Sequence, residues 1–234
     1  LKITGIRMTI VTKGSAIPGE KAAVQGIDPN RPMIALTFDD GPHAPVTNRI
    51  LDSLEANGGR ATFFMVGNRV TGKANKAAVA RMAALGCEVA NHTYEHKAIT
   101  KLGAEGIKSQ LARANDSIRL AGGVSPVLMR PPGGAKSDAA MKTVGSMGMS
   151  AVLWSIDTMD WKTKNKQKTI DAVIGHVKDG DIVLMHDLYG TTADAAEVII
   201  PKLKEMGFQL VTVSELASYR GGIQPGKVYS RFRP

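Results

Sequence analysis

Two histidines and two adjacent aspartates have the residue types and spacing that most clearly suggest chemistry. His92 and His96 are four residues apart, so their imidazoles would share one face if the chain turned helical after its strand. Asp39 and Asp40 stand side by side before an abrupt Gly-Pro break that points side chains in different directions. Two neutral imidazoles and one carboxylate would leave positions on a divalent ion open, as catalytic metal sites require. The second carboxylate could then act as a base, so these residues indicate metal-assisted hydrolysis.

Both patterns also have a simpler interpretation. The histidines could be two surface residues on a helix, although chance supplies only about 0.1 such pairs in a chain with five histidines. The adjacent acids could belong to a solvated turn. The two interpretations differ in whether the predicted strands and helices bring these side chains together.

Short apolar runs alternate with helical patterns along almost the whole chain. The runs typical of strands are 34–38, 62–66, 87–90, 127–129, 151–154, 182–185 and 208–213. The segments typical of helices are 46–56, 76–85, 106–121, 138–147, 169–177 and 193–206, and several are followed by glycine. This alternation predicts an α/β fold, specifically a distorted barrel of about seven parallel strands rather than an open doubly wound sheet.

The barrel is assigned to residues 33–220 as a single domain. Residues 1–32 contain the apolar run 8–11 followed by Gly- and Pro-rich turns, which predicts a short N-terminal strand or hairpin. Residues 221–234 are interpreted as a basic C-terminal tail.

The polar residues follow the ends of the predicted strands. They are Asp39 and Asp40 after the first barrel strand, Asn91 and His92 after the third, Arg130 after the fourth, Asp157 after the fifth, and His186 and Asp187 after the sixth. In a parallel barrel the carboxyl ends of all strands meet at one rim, where such folds place their active sites. The sequence therefore predicts one active site at this rim.

Composition limits the remaining choices. The chain has 234 residues, of which 43% are hydrophobic, so it can fill a sizeable core and is not disordered. A net charge of +9 favours an anionic partner such as nucleic acid, a wall polymer or an anionic surface.

The single cysteine, Cys87, excludes an intrachain disulfide framework. No apolar run approaches the roughly 18 residues of a membrane span, which predicts a soluble chain. Because the sequence starts at Leu1 without a leader pattern, we expect a processed chain.

Two clusters of basic residues also stand out. Lys162, Lys164, Lys166 and Lys168 are interpreted first as a solvated loop and second as a binder of acidic polymer. The basic residues at the C-terminus lack the interleaved aromatics of a single-strand nucleic-acid binder, so no nucleic-acid partner is expected.

Five motifs in order resemble those of the polysaccharide deacetylases, carbohydrate esterase family 4. They are TFDDGP at 37–42, HTYEH at 92–96, RPPGG at 130–134, DTMDW at 157–161 and LMHD at 184–187. The resemblance covers about residues 33–216, and five ordered motifs make an accidental match very improbable.

The resemblance implies a set of metal ligands and a base. Asp40, His92 and His96 resemble the family's metal triad, which implies one divalent ion, zinc first, with cobalt, manganese or nickel as alternatives. Asp39 resembles the catalytic base, and Arg130 the residue that orients and pairs with it.

The resemblance also implies an acid and a substrate groove. His186 resembles the catalytic acid and Asp157 the carboxylate that tunes it, while Trp161 would line the sugar groove and Leu184 the pocket for the acetyl methyl group. Gly133 departs from the family pattern, which usually has an aromatic or other bulky residue there. A glycine can still supply a backbone N–H to an oxyanion, so the resemblance implies intact chemistry and a lowered groove wall.

The leading functional hypothesis is a metal-dependent deacetylase that hydrolyses the N-acetyl groups of N-acetylglucosamine in peptidoglycan or chitin-like polymers. An acetylxylan esterase is the alternative, and a catalytically inactive carbohydrate-binding relative is a third hypothesis from another class. The positive charge leans towards peptidoglycan. The expected protein is a monomer, extracellular or associated with the cell wall, with a polysaccharide as its partner.

Overall fold

The structure, a computed structural model, describes residues 26–234. The strands are β1 (Met33–Asp39), β2 (Thr62–Met65), β3 (Glu88–Asn91), β4 (Leu128–Met129), β5 (Ser150–Val152), β6 (Ile156–Asp157), β7 (Ile182–His186), β8 (Gln209–Leu210) and β9 (Val228–Tyr229). The helices are α1 (Ala44–Ala56), α2 (Gly72–Ala84), α3 (Ala104–Gly122), α4 (Asp138–Ser146), α5 (Asp160–Thr163), α6 (Lys166–Ile174), α7 (Gly190–Glu205) and α8 (Val213–Ser218). The N-terminal strand expected near residues 8–11 lies outside the described residues.

The strands form one parallel sheet that curves almost into a closed barrel. Their order is β6-β7-β1-β2-β3-β4-β5-β9, and β8 pairs with β1 beside this path. β5 and β6 are therefore separated by most of the sheet, yet only residues 153–155 connect them. Three residues can span no more than about 14 Å, so the two sides of the sheet must approach each other. This confirms the predicted distorted (β/α) barrel.

The first strand shows how the sheet positions the site. All seven residues of β1 are buried. Ile34, Leu36 and Phe38 pack into the cluster beneath the helices, whereas Met33 and Ala35 belong to a second cluster. Since alternate side chains on a strand point the same way, Thr37 and Asp39 share the face of Ala35, which is the inside of the barrel.

The C-terminal residues that the sequence analysis set apart as a tail contribute to the sheet. Val228 and Tyr229 pair with β5, and Phe232 is buried. Arg231 forms a bridge to Asp181, and Arg233 forms an ion pair with the same aspartate. Residues 221–234 therefore cover the gap between β5 and β7. The sequence did not indicate this role, because β9 has only two residues and shows no strand pattern of its own.

Helices in the described part of the chain do not reach the length and apolar character needed to cross a membrane.

Candidate active site

The carboxylate and the two imidazoles predicted to bind a metal converge at the carboxyl ends of the strands. His96 Nε2 lies 3.1 Å and His92 Nε2 lies 3.5 Å from Asp40 Oδ1. The three ligand atoms lie within 4.8 Å of one another. Burial alone would raise the pKa of Asp40, but the two neighbouring imidazoles outweigh it and hold that pKa well below its usual range. The carboxylate is thus held in the ionised form that a cation needs.

A loop, and not a helix, brings the two histidines together. Residues 92–98 have no helical assignment, and both Thr93 and His96 have positive φ, at 63° and 55°. Asn91 Oδ1 accepts a hydrogen bond from the Thr93 N–H at 2.7 Å, which fixes a tight turn directly after β3. The imidazole centroids are 4.9 Å apart. The spacing of four residues correctly predicted that the two histidines lie close together. The prediction assumed a helix, however, and the chain forms a loop here.

Hydrogen bonding prepares one imidazole to bind a cation. His92 Nδ1 lies 2.7 Å from the carbonyl oxygen of Arg130. A carbonyl can only accept, so Nδ1 carries a proton, and Nε2 is the ring nitrogen that faces Asp40. Asp40 Oδ1, which both imidazoles face, is buried and makes no aligned hydrogen bond. One unsatisfied carboxylate oxygen and two imidazoles form a donor set that fits a divalent cation.

A separate segment ties the two ligand loops together. Arg69 Nη1 donates to the Asp40 carbonyl at 2.6 Å, and Val66 N donates to the Gly41 carbonyl at 2.9 Å. On the other side, Gly67 N donates to the Thr93 carbonyl at 3.0 Å. Asp40 has a φ of 73°, which costs energy for a residue with a side chain, so these bonds help to hold it. Sequence analysis did not identify this segment, which carries no acid or histidine.

The proposed base is held by a fully buried arginine. Arg130 Nη1 donates to Asp39 Oδ1 at 2.6 Å and to Thr37 Oγ1 at 2.8 Å. Burial lowers the pKa of Arg130 and Asp39 opposes that shift, but a guanidinium remains charged throughout the ordinary pH range. The second oxygen, Asp39 Oδ2, lies 3.7 Å from His92 Nε2 and so faces the ligand set. The structure thus brings Asp39 and Arg130 together as a buried ion pair.

The carboxylate that holds His186 is Asp160, and the assignment of this role to Asp157 is corrected. His186 Nδ1 lies 2.7 Å from Asp160 Oδ1, and the His186 backbone N–H donates to Asp160 Oδ2 at 2.8 Å. Asp157 instead accepts from the backbone N–H of Met159 at 2.8 Å. The left-handed Met159, with a φ of 54°, reverses the chain and turns the second acid of the motif towards the histidine.

The environment of His186 favours its protonated form. Burial would lower the pKa of His186, but the hydrogen bond and charge of Asp160 outweigh it, with smaller contributions from Asp39 and Asp40, and the pKa is raised. An imidazolium that keeps its proton to a higher pH is suited to donate it to a leaving group.

Replacing Asp160 with Asn is expected to move the alkaline limb of the pH profile of kcat to lower pH. The reason is that the acid must be protonated, and without the carboxylate its proton is lost at lower pH. Initial rates across pH 5 to 10 would measure this shift. The matched control is Asp157→Asn, which should leave the limb in place because Asp157 does not contact His186. Equal shifts in both variants would contradict the corrected role.

One cleft of about 440 Å³ brings these groups together. It is lined by Asp39, Asp40, His92, His96, Gly133, Trp154, Asp157, Trp161, Leu184, His186 and Tyr189. Every predicted site residue except Arg130 therefore faces the cleft, and Arg130 lies behind its floor. Trp154 and Tyr189 are additional lining residues that sequence analysis missed. Both are aromatic residues next to predicted strand ends, which is the signal that could have identified them.

Asp187 is a buried acid behind the ligand loop that sequence analysis placed at the rim without a role. Its Oδ2 accepts from Thr47 Oγ1 at 2.5 Å, and a Cβ on Gly41 would lie 2.2 Å from its carboxylate oxygens. Burial raises the pKa of Asp187 to about 7, and Thr47 opposes this shift. Only a glycine fits between this carboxyl and the turn that carries Asp40.

A carboxylate held by an arginine, an imidazole held by a carboxylate and a set of side chains able to hold a metal surround one cleft at the rim of a parallel barrel, and such groups can carry out hydrolysis. A sequence profile of the polysaccharide deacetylases matches residues 26–152. The chain belongs to this family, whose deacetylases are hydrolases that act on amide bonds.

Individual relatives agree with this assignment. The chain is 44% identical over 190 residues to the peptidoglycan-N-acetylmuramic acid deacetylase PdaC of Bacillus subtilis, covering 81% of this chain and 40% of that protein. It is 37% identical over 196 residues to the peptidoglycan-N-acetylglucosamine deacetylase PgdA of Listeria monocytogenes, covering 84% of this chain and 41% of that protein. The chain thus spans about two fifths of the length of these two relatives.

A solved structure shows the same fold. The family 4 acetyl xylan esterase of Clostridium thermocellum, in complex with a cobalt ion, has a TM-score of 0.80 and 32% identity, covering 86% of this chain and 100% of that one.

Proposed function

We propose that this protein is a metal-dependent deacetylase that hydrolyses the N-acetyl groups of amino-sugar residues in peptidoglycan. The observation that carries the proposal is the arrangement around one cleft of the Asp40, His92 and His96 set, the base pair Asp39 and Arg130, and the acid pair His186 and Asp160. A protein that only bound sugar would not need all three.

Asp40, His92 and His96 would hold one divalent ion, which we propose to be zinc. Two imidazoles and a carboxylate are the ligand set of many catalytic zinc sites, and cobalt, manganese or nickel could replace zinc in such a set. When bound, the ion would supply Lewis-acid polarisation and make a water molecule more acidic.

The protein's own residues then perform the proton transfers. Asp39, with one oxygen fixed by Arg130, takes a proton from the attacking water through its other oxygen. The water oxygen forms a bond to the acetyl carbon, and the Gly133 N–H would stabilise the negative oxygen that develops there. His186 donates its proton to the departing nitrogen as the carbon–nitrogen bond breaks, which releases acetate and a free amine. Leu184, 3% exposed in the cleft, would contact the acetyl methyl group.

The choice of peptidoglycan is supported by the names of the relatives and by charge. PdaC and PgdA are both named as peptidoglycan deacetylases. A net charge of +9 favours approach to anionic wall material. Removal of O-acetyl groups from xylan is the second candidate, because the structurally similar protein of Clostridium thermocellum is an acetyl xylan esterase. We further propose that the protein is a monomer that acts outside the cell or at the cell wall.

Acetate release from purified peptidoglycan, chitooligosaccharides and acetylxylan, measured side by side, tests the proposal. We expect acetate from peptidoglycan, its loss after treatment with a chelator, and its return when zinc is added. Greater release from acetylxylan would favour the esterase, and no release from any polymer with the metal present would favour the inactive binder.

Gly133 provides a separate prediction about sugar binding. A Cβ at this position would meet nothing within 4 Å, so a side chain fits, but a φ of 63° strains any non-glycine residue by about 1–2 kcal/mol. Replacing Gly133 with Tyr should lower KM for oligosaccharides more than it changes kcat, because the ring adds stacking surface beside the sugar. Gly133→Ala is the control, since it carries the same backbone strain without a ring. If both variants had the same KM, Gly133 would not mark a lowered wall.

A further inference from the structure

We propose that Lys164, at the edge of the cleft, binds a carboxylate substituent of the glycan and so makes the protein favour anionic peptidoglycan over neutral chitin-like chains. This inference rests on the proposed function and names a residue that selects the substrate. Carboxylates distinguish these polymers, because alternate sugars of peptidoglycan carry a lactyl ether whose acid is either free or extended by an acidic peptide.

Lys164 is placed next to the catalytic groups by the chain reversal at the end of α5. It follows Trp161 closely and has left-handed backbone angles, with φ 44° and ψ 41°. Its Nζ lies 5.1 Å from the ring centroid of Tyr189, within the range of a cation–π contact. That ring lines the cleft, and its centroid lies 6.4 Å from the centroid of the His186 ring. The ammonium and the proposed acid are therefore neighbours of the same tyrosine.

The ammonium is available for a ligand. Lys164 is exposed and forms no ion pair with an acid within residues 26–234, whereas Lys97, Lys108 and Lys202 each pair with a glutamate. Residues 161–168 contain four lysines and no acid. This part of the rim thus presents uncompensated positive charge beside an exposed tryptophan.

The charge of the cleft floor explains why a cation at the rim would matter. At the floor, Asp39 is paired with Arg130 and Asp40 belongs to the proposed metal ligands, so these charges already have partners. Lys164 has no acidic partner within residues 26–234, so a carboxylate on the glycan would find its unpaired opposite charge at the rim. A neutral glycan gains no charge–charge attraction from the lysine, so the contact discriminates between the two polymers.

The test compares Lys164→Met with wild type on two kinds of glycan. One is a peptidoglycan oligosaccharide with free lactyl carboxylates or with attached peptides, and the other is a chitooligosaccharide of equal length. We expect KM for the carboxylate-bearing substrates to rise about threefold to fivefold, the range of an exposed ion pair, with kcat unchanged. KM for the chitooligosaccharide should not change. Lys166→Met, from the same lysine series but without the contact that Lys164 makes with the Tyr189 ring, is the matched control and should behave as wild type.

Further measurements separate this inference from simpler explanations. Lys164→Arg should keep the wild-type preference, and raising the salt concentration should weaken the preference in wild type but not in Lys164→Met. A rise in KM with only one of the two carboxylate-bearing substrates would identify whether the lactyl or the peptide carboxylate is bound. Equal changes on charged and neutral glycans, or none on either, would overturn the assignment of Lys164 while leaving the deacetylase intact. A wild-type protein inactive on every glycan would instead contradict the proposed function.

Discussion

Replacing His92 with Ala is expected to abolish stoichiometric binding of a divalent ion and, with it, measurable acetate release. His92 is the most deeply buried of the three proposed ligands, and its Nδ1 is fixed by the Arg130 carbonyl. Alanine has no imidazole, so the variant loses one of the three proposed ligand atoms and leaves a cavity beside the other two. Loss of an orienting partner alone commonly costs tenfold to a hundredfold in metal affinity, so about a hundredfold is the minimum expected from loss of the ligand itself. Elemental analysis after dialysis, together with titration by zinc, would measure the change.

A matched histidine variant separates this effect from a general loss of imidazole. His176 lies outside the cleft, exposed beyond α6, with its Nδ1 near the Asp171 carbonyl. His176→Ala should retain both the ion and the activity. If His92→Ala kept wild-type metal content and turnover, the assignment of the three ligands would be wrong.

Replacing Asp39 with Asn is expected to lower kcat/KM by about two to four orders of magnitude while the bound ion is retained. The amide has nearly the same shape and can still accept from Arg130, but it has no basic oxygen with which to take a proton. The variant should also be less stable, because the buried guanidinium loses its neutralising charge, a change that can cost about 3–5 kcal/mol. Steady-state kinetics, metal analysis and chemical denaturation on the same preparation would measure these three effects.

Thr37→Val is the control that separates stability from chemistry. It removes another hydrogen-bond partner of Arg130 and leaves the Asp39 carboxylate in place. We expect a loss of stability with a far smaller loss of activity. An active, metal-loaded Asp39→Asn protein would remove Asp39 from its proposed role.

The fold could be predicted from sequence largely because its long elements carry a strong period. Helices α1, α2, α3, α4, α6 and α7 begin and end within a few residues of the expected ranges. The strands β6 and β9, with two residues each, were missed because such a short segment has no period of its own. Their positions are decided by contacts with β7 and β5, which are distant in sequence.

The candidate site was predictable in residue type and less so in geometry. Adjacent strand ends brought Asp39, Asp40, His92 and Arg130 together as expected, because the rim of a parallel barrel is set by topology. The choice between Asp157 and Asp160 depends on the left-handed backbone of Met159, for which the sequence contains no glycine or asparagine signal. The motif supplied two acids, and only the folded chain selects the one that contacts His186.

Arg130 holds the barrel together as well as the base. Its Nε donates to the Val152 carbonyl at 3.0 Å and its Nη2 donates to the Leu153 carbonyl at 2.9 Å, where the chain leaves β5 to cross towards β6. Between β5 and β6 the arginine thus donates to backbone carbonyls that would otherwise accept from the N–H groups of a neighbouring strand. A related chain that had lost catalysis would therefore still need an arginine here to close its barrel, so its presence is weak evidence of enzymatic activity. His96, whose side chain is 44% exposed, has no comparable structural task, and its loss would be the better sign of an inactive descendant.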